Sequence, residues 1–95
     1  MSRQQVRRTI ADMKLLYFAW LRERIGLSTE DLSLPDGVRT VQDLITHLTA
    51  RGDGYASAFF EPAAVKIAIN QDFAKVTDPV TDSDEIAFFP PVTGG

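Results

Sequence analysis

Short apolar segments alternate with polar ones along this chain, and the spacing inside each segment predicts whether it forms a strand or a helix. Residues 14–20 are rich in aliphatic and aromatic side chains and predict a buried first strand. Residues 21–25 are mixed in polarity and stop at Gly26, which favours a short helical turn. Leu32 and Leu34 alternate with polar neighbours, and this period of two indicates a second strand.

The clearest predicted element is a helix that follows a Pro-Asp-Gly turn at residues 35–37. Its apolar positions are three or four residues apart, as on one face of a helix: Val41, Leu44, Ile45 and Leu48. Thr40 stands where an N-cap residue is expected, and Asp43 three positions later completes the pattern of a capping box. Gly52 is placed to end the helix as a C-cap glycine.

The second half of the chain predicts one short helix followed by three strands. The short helix is expected at residues 55–60 and is ended by Pro62. Runs rich in β-branched and aromatic residues predict strands at residues 65–69, 73–76 and 86–89. Residues 70–72 supply a turn between the first two strands, and residues 79–85 form a polar loop before the last. This order of elements predicts the α+β class, with a mixed sheet wrapped over one main helix.

Length and composition limit the classes of protein to which this chain belongs. Its 95 residues suffice for one small domain, and 44% hydrophobic with 24% charged residues is typical of a globular chain. The absence of cysteine excludes disulfides, thiolate metal ligands and a cysteine nucleophile. A net charge of −3 argues against nucleic acid as a partner, because phosphates require a basic patch. No apolar run approaches the length of a membrane span, and we expect a cytoplasmic protein.

Composition divides the chain into three parts. Residues 1–12 are polar and lack an apolar period, so we expect an N-terminal extension that is flexible. Residues 13–89 contain every predicted strand and helix and form the domain. Residues 90–95 form a C-terminal tail that we expect to be extended.

The composition of this tail is unusual for a chain terminus. Pro90 and Pro91 restrict the backbone to extended conformations, and Gly94 and Gly95 lack side chains that would clash in a narrow channel. Such a tail spans about 20 Å, enough to deliver a terminal carboxylate into another protein's active site. A carboxylate accepts a nucleophile only after activation, for example as an acyl-adenylate. Sulfide would then give a thiocarboxylate and a lysine amine a protein conjugate, whereas an end that is merely flexible would give neither.

Other candidate sites are weaker than the tail. Asp82, Asp84 and Glu85 are close in sequence, but their spacing matches no known metal loop and fits a solvated acidic turn. His47 lies off the apolar face of the predicted helix, where a surface histidine is expected. Three hydroxyl residues have no base nearby and are poor nucleophiles: Ser28, Thr29 and Thr93. We therefore predict no metal site and no nucleophile in the domain itself.

Several segments of the sequence resemble the small-subunit family of molybdopterin synthase, often called MoaD. The most specific is the ending at residues 88–95, Phe-Phe-Pro-Pro-Val-Thr-Gly-Gly. Further likeness to the family's strands and first turn is found at residues 14–19, 21–23, 68–71 and 81–87. The resemblance extends from Met13 to Gly95 and implies a ubiquitin-like β-grasp fold.

The resemblance also implies a function in which this chain supplies a reactive end and its partners supply the catalysis. An E1-like activating enzyme (MoeB-like) would use ATP to adenylate Gly95, which is then converted to a thiocarboxylate. The large catalytic subunit (MoaE-like) would accept the tail and transfer the sulfur to cyclic pyranopterin monophosphate, in molybdenum cofactor biosynthesis. On this interpretation the chain binds no cofactor and is not an enzyme on its own.

Partner contacts are implied for residues in and beside the tail, ahead of the reactive Gly94 and Gly95. Matched by position, they are Phe18, Arg22, Phe73, Phe89, Pro90, Pro91, Val92 and Thr93. From the residues alone, Phe18 and Phe89 lie in predicted strands and fit the core equally well, and Arg22 fits a solvated charge. Phe73 follows a polar turn, which favours exposure to a partner.

Three other functions stay open from the sequence. The chain fits a sulfur donor for thiazole synthesis or tRNA thiolation, since those carriers share the Gly-Gly ending. It also fits a ubiquitin-like modifier that is conjugated to lysines. A β-grasp binding module without covalent chemistry is the third.

Overall fold

The computed structural model describes residues 12–91, in which short strands and helices follow one another. The strands are β1 (Met13–Tyr17), β2 (Thr29–Leu32), β3 (Lys66–Ile69), β4 (Asp72–Ala74) and β5 (Glu85–Phe89). The helices are α1 (Trp20–Ile25), α2 (Val41–Thr49) and α3 (Asp53–Ala58), and a 3-10 turn occupies Pro62–Ala64. The predicted order of strands and helices is confirmed.

The strands form one mixed sheet in the order β2-β1-β5-β3-β4. β5 lies at the centre, parallel to β1 and antiparallel to β3, and the two outer strands pair antiparallel with their neighbours. The parallel pair is possible because the long connection between β1 and β5 crosses over through the helices. A mixed sheet packed on one main helix is the β-grasp arrangement, so the predicted α+β fold is confirmed.

One face of the sheet packs against α2 and forms the core. Alternate residues of the two central strands are fully buried on this face: Leu15, Tyr17, Ile86 and Phe88. The helix contributes Val41, Leu44 and Leu48. The ring of Phe88 lies 5.9 Å from that of Tyr17 and 5.0 Å from that of Phe59, measured between centroids. The remaining strand residues point to the opposite side of the sheet, which we call the outer face.

The main helix begins where its capping residues predict. Asp43 Oδ2 accepts hydrogen bonds from the backbone N–H groups of Arg39 (3.0 Å) and Thr40 (3.2 Å), and Thr40 Oγ1 accepts one from the Asp43 N–H (3.2 Å). These bonds hold the pKa of the Asp43 carboxyl below its ordinary value. The prediction for the end of the helix is wrong. The helix stops at Ala50, and Gly52 is the N-cap of α3, because the chain passes almost directly into the next helix.

The first strand is shorter than its apolar pattern predicts. It ends at Tyr17, and Ala19 has a φ of 55°, which turns the chain into α1. Trp20 was predicted in the strand and is instead the first residue of that helix. Gly26 ends α1 with a φ of 91°, the left-handed conformation that glycine adopts without strain, so the predicted helical turn is confirmed.

Two predictions about loops change once the elements pack together. Leu34 lies outside β2, which ends at Leu32. Val80 was predicted in a polar loop, but it is 5% exposed and belongs to the core. Its N–H donates to the Arg39 carbonyl (3.0 Å), and this bond fastens the loop beside the start of α2.

The hairpin between β3 and β4 follows its prediction more closely. Asn70 and Gln71 both have positive φ values, 51° and 75°, as a two-residue hairpin turn of the primed type requires. The return strand is shorter than predicted and ends at Ala74 rather than Val76.

Candidate functional site

The C-terminal tail continues from the central strand of the sheet. β5 ends at Phe89, and Phe88 is paired with Tyr17 on one side and Ile67 on the other. Pro90 and Pro91 follow and are half-buried. The remaining predicted site residues lie outside the described part of the chain: Val92, Thr93, Gly94 and Gly95. The same holds for the predicted N-terminal extension apart from Asp12.

An apolar row crosses the outer face near this end of the sheet. The strand register places Leu16 beside Ala87, Ala87 beside Ala68, and Ala68 beside Phe73. Phe89 is two residues beyond Ala87 and therefore points to the same face. Its ring lies 6.1 Å from the Phe73 ring, between centroids. We call this row, together with Phe18 and Phe89, the aromatic patch.

The structure decides between core and surface for the three predicted phenylalanines. Phe73 is 85% exposed and Phe18 is 46% exposed. Phe89 is half-buried on the outer face, whereas its neighbour Phe88 is fully buried on the core face. None of the three is a fully buried core residue, so the core interpretation of Phe18 and Phe89 is wrong. Their roles as partner contacts stay predictions.

Arg22 lies close to the patch in sequence but on a separate element. It is exposed on α1, the helix that begins two residues after Phe18. Leu21 anchors that helix in the core and fixes its position. The exposed guanidinium is compatible with both a partner contact and a solvated charge.

Sequence reasoning missed one residue of this region, Lys66. It pairs with Phe89 across β3 and β5, and its side chain helps to line a depression of about 350 Å³ between the exposed phenylalanines. The other lining residues are Ile67, Phe73, Ala74 and Phe89. The period of two in β3 was the available signal, since Ile67 and Ile69 face the core and the alternate residues Lys66 and Ala68 therefore face outward.

The other end of the outer face is charged. Lys14 Nζ lies 3.7 Å from Asp31 Oδ1, and the register places Lys14 beside Glu85. Asn70 Nδ2 donates to Asp84 Oδ1 (2.9 Å), and Asp84 Oδ2 accepts from the Thr81 N–H (2.8 Å). Asp84 thus stabilises its own loop, as expected of an acidic turn. Among residues 12–91, no three His, Cys, Asp or Glu side chains are arranged to hold a metal ion.

A second polar cluster lies on the core side of β2 around Glu30. Its carboxylate accepts hydrogen bonds from the hydroxyls of Tyr55 (2.8 Å) and Tyr17 (3.0 Å) and pairs with the Arg51 guanidinium at 2.7 Å. Burial tends to raise the pKa of Glu30, but the bonds from Tyr55, Arg51 and Tyr17 outweigh it and hold that pKa below its ordinary value. Burial and the same carboxylate raise the pKa of Tyr17. The cluster ties β1 and β2 to α3 and is structural.

A groove of about 430 Å³ lies on the helix side of the sheet. Its apolar lining residues include Ile45 of α2, Phe59 directly after α3, Val65 directly after the 3-10 turn, and Ile67 of β3. Its polar lining residues are Gln42, Thr46 and Thr49, and no titratable side chain lines it. The described lining residues therefore offer no candidate general acid or base.

The sequence is similar to one family of proteins over most of its length. A family model described as the ThiS family matches residues 15–95. The molybdopterin synthase sulfur carrier subunit of Escherichia coli is 41% identical over 83 residues, which cover 87% of this chain and 99% of that protein.

Solved structures share the fold. A putative molybdopterin converting factor subunit 1 from Pyrococcus furiosus matches with a TM-score of 0.69 and 32% identity, over 86% of this chain and 99% of that one. The protein SAMP1 of Haloferax volcanii matches with a TM-score of 0.66 and 28% identity, over 88% of this chain and 99% of that one. A Helicobacter pylori complex of subunits 1 and 2 of molybdopterin-converting factor matches with a TM-score of 0.59 over 88% of this chain and 99% of that one, and at 20% identity it shows the fold alone.

Proposed function

This chain belongs to the ThiS family, and we propose that it acts as the sulfur carrier subunit of a molybdopterin synthase. The E. coli relative with that name is similar over nearly its whole length. The match to the family model extends through the Gly94-Gly95 ending, which this function requires as the carrier of sulfur.

One structural observation carries the proposal. The residues that lead to Gly94 and Gly95 follow β5, and β5 ends beside the aromatic patch on the outer face. Exposed aromatic side chains that form a contiguous patch are typical of a protein interface. A partner that binds the patch is therefore placed to receive the tail in its own active site.

The chemistry proceeds through the carboxylate of Gly95. An E1-like enzyme transfers AMP from ATP to this carboxylate and releases pyrophosphate. A sulfur nucleophile then attacks the acyl carbon and displaces AMP, which leaves a thiocarboxylate. In the large catalytic subunit, the sulfur is transferred to cyclic pyranopterin monophosphate, and an oxygen from water restores the carboxylate. This chain contributes the reactive terminus, and the catalytic side chains belong to the partners.

The partners follow from the same site. The large subunit accepts the tail in its thiocarboxylate form, in line with the complex of subunits 1 and 2 named for the H. pylori proteins. The activating enzyme accepts the tail with its free carboxylate. Both partners bind the aromatic patch, because each must hold the domain while the tail is inserted. Arg22, which is exposed on α1, is proposed as a further contact. Among residues 12–91 no helix is long and apolar enough to cross a membrane.

Intact-mass measurement tests the proposal. The full chain is incubated with its activating enzyme, ATP and a sulfur source, and a gain equal to one oxygen replaced by one sulfur is expected. The variant that lacks Gly95 is the control, and it is expected to show no gain. An unchanged mass of the full chain, with an activating enzyme proven active on another carrier, would refute the proposal.

A protein modifier is the second candidate, and the likeness to SAMP1 favours it. The activation step is common to both functions, so the fate of the activated terminus separates them. Conjugates of this chain with lysines of other proteins would support the modifier. Formation of molybdopterin from the thiocarboxylate form and the large subunit would support the carrier function. It would also exclude the alternative that this chain is dedicated to thiazole synthesis or tRNA thiolation.

A further inference from the structure

Lys66 is the charged residue that pairs with Phe89 at the aromatic patch. It is exposed on the outer face of β3, directly across from Phe89, the last strand residue before the tail. The register places its neighbours on that face in the apolar row, where Ala68 pairs with Ala87. Lys66 therefore puts a positive charge at the point where the tail leaves the sheet.

The local surroundings combine this charge with an apolar depression. The side chains of Lys66, Phe73 and Phe89 line a space of about 350 Å³. The ion pairs found between residues 12 and 91 are Lys14–Asp31 and Arg51–Glu30, and neither involves Lys66. The chain as a whole carries a net charge of −3, so this cation is opposite in sign to the net charge.

A partner that covers the patch must also cover Lys66. Removing an ammonium group from water costs several kcal/mol unless an opposite charge or good acceptors replace the water. A carboxylate on the partner meets this need, and the stem of the lysine can pack on the aromatic rings meanwhile. An apolar partner side chain suits the adjoining depression.

We propose that Lys66 determines the charge complementarity of the patch. The large subunit places a carboxylate against the Lys66 ammonium group and an apolar side chain in the adjoining depression. This inference rests on the proposed function, because it assumes that the large subunit covers the patch. Lys66 would thus be a specificity residue, because a partner surface with a positive or an apolar group against its ammonium would bind more weakly.

Calorimetric titration of the full chain with the purified large subunit tests the inference. The variants are Lys66→Met, which keeps the stem and removes the charge, and Lys66→Glu, which reverses it. Lys14→Met and Lys14→Glu are the controls, since Lys14 is a lysine of the same outer face but lies at its opposite end, 3.7 Å from Asp31.

The expected results are specific to position 66. Lys66→Met weakens binding roughly tenfold and Lys66→Glu roughly a hundredfold or more, because each leaves the partner's carboxylate unpaired or opposed. The loss in Lys66→Met shrinks as salt is raised from low to high concentration, as the wild-type attraction is screened. Both control variants bind like the wild type, and Lys66→Arg retains most of the affinity.

The outcomes separate this inference from the proposed function. If the wild type binds the large subunit and the Lys66 variants bind as tightly as the Lys14 variants, then Lys66 is a solvated rim charge and the inference is wrong. If the wild type neither binds nor gains sulfur, the proposed function itself is wrong. Thermal unfolding of each variant shows whether a lower affinity reflects misfolding. If Lys66→Glu is unstable, the salt dependence of binding by Lys66→Met shows whether the charge of Lys66 contributes to affinity.

Discussion

Replacing Phe73 by alanine separates the binding role of the aromatic patch from its role in stability. The side chain is 85% exposed, so truncation removes little from the folded domain. An aromatic side chain has about 200 Å² of surface, and the buried remainder is about 30 Å², which is worth about 1 kcal/mol at 25 cal/mol per Å². The contact with the Phe89 ring is included in this small loss. The fold should therefore survive the change.

The expected loss of binding is much larger. If the large subunit covers the whole exposed part of Phe73, about 170 Å² is buried, and the upper limit is about 4 kcal/mol. Binding recovers only part of such an area term, so we expect a loss of about 2–3 kcal/mol. At 1.4 kcal/mol per factor of ten, this is a decrease in affinity of roughly 30- to 150-fold.

Phe60 offers a matched control for this experiment. It is 82% exposed, but it lies after α3 and lines a separate depression with Arg24 and Ser57. Phe60→Ala should therefore cost the same small amount of stability and leave the affinity for the large subunit unchanged. Calorimetric titration gives the affinities, and urea unfolding gives the stabilities. Equal affinities of the two variants would refute the assignment of the aromatic patch as the binding surface.

Three further changes test other parts of the structure. Gly54→Ala should destabilise the domain by about 1–3 kcal/mol in urea unfolding. The added Cβ would lie 2.5 Å from the Arg24 carbonyl oxygen, where α3 meets α1, so an unchanged unfolding midpoint would contradict this contact. The pKa of Glu30 is lowered in the folded state, so its stabilisation is present above its ordinary value of 4.5 and is lost as the pH falls through the folded value. Glu30→Gln should therefore be less stable than the wild type at neutral pH, with the difference shrinking below about pH 4.5; a difference independent of pH would show that the charge is not responsible. Deletion of Gly95 should abolish the gain of sulfur while the thermal midpoint stays the same, and a truncated chain that still supports molybdopterin formation would exclude the mechanism.

Local hydrogen bonds explain why parts of the fold could be predicted from the sequence. The capping box of α2 needs only Thr40 and Asp43 at the right spacing, and the bonds form within one helical turn. The left-handed residue Gly26 and the turn at Asn70 and Gln71 are equally local. Such features depend on a few neighbouring residues, so the sequence determines them without knowledge of the rest of the chain.

Packing between distant segments decided what the sequence left open. Val80 looks like a loop residue because its neighbours are polar, yet contacts with the start of α2 bury it. Gly52 has the character of a helix stop, but the position of α3 makes it a helix start. In both cases the residue type fits two environments, and only the tertiary structure selects one.

The candidate site shows the same division. The Gly-Gly ending and its proline stem are properties of the sequence, and they determined the chemistry that we propose for the terminus. Periodicity could not assign Phe18 and Phe89 to core or surface, because the central strands β1 and β5 carry apolar residues on both faces. The strand order placed Phe73, Phe89 and Lys66 side by side, although they come from three strands. Alternation along a strand determines which of its residues share a face. Only the pairing of strands in the folded sheet determines which residues of different strands lie side by side next to the tail.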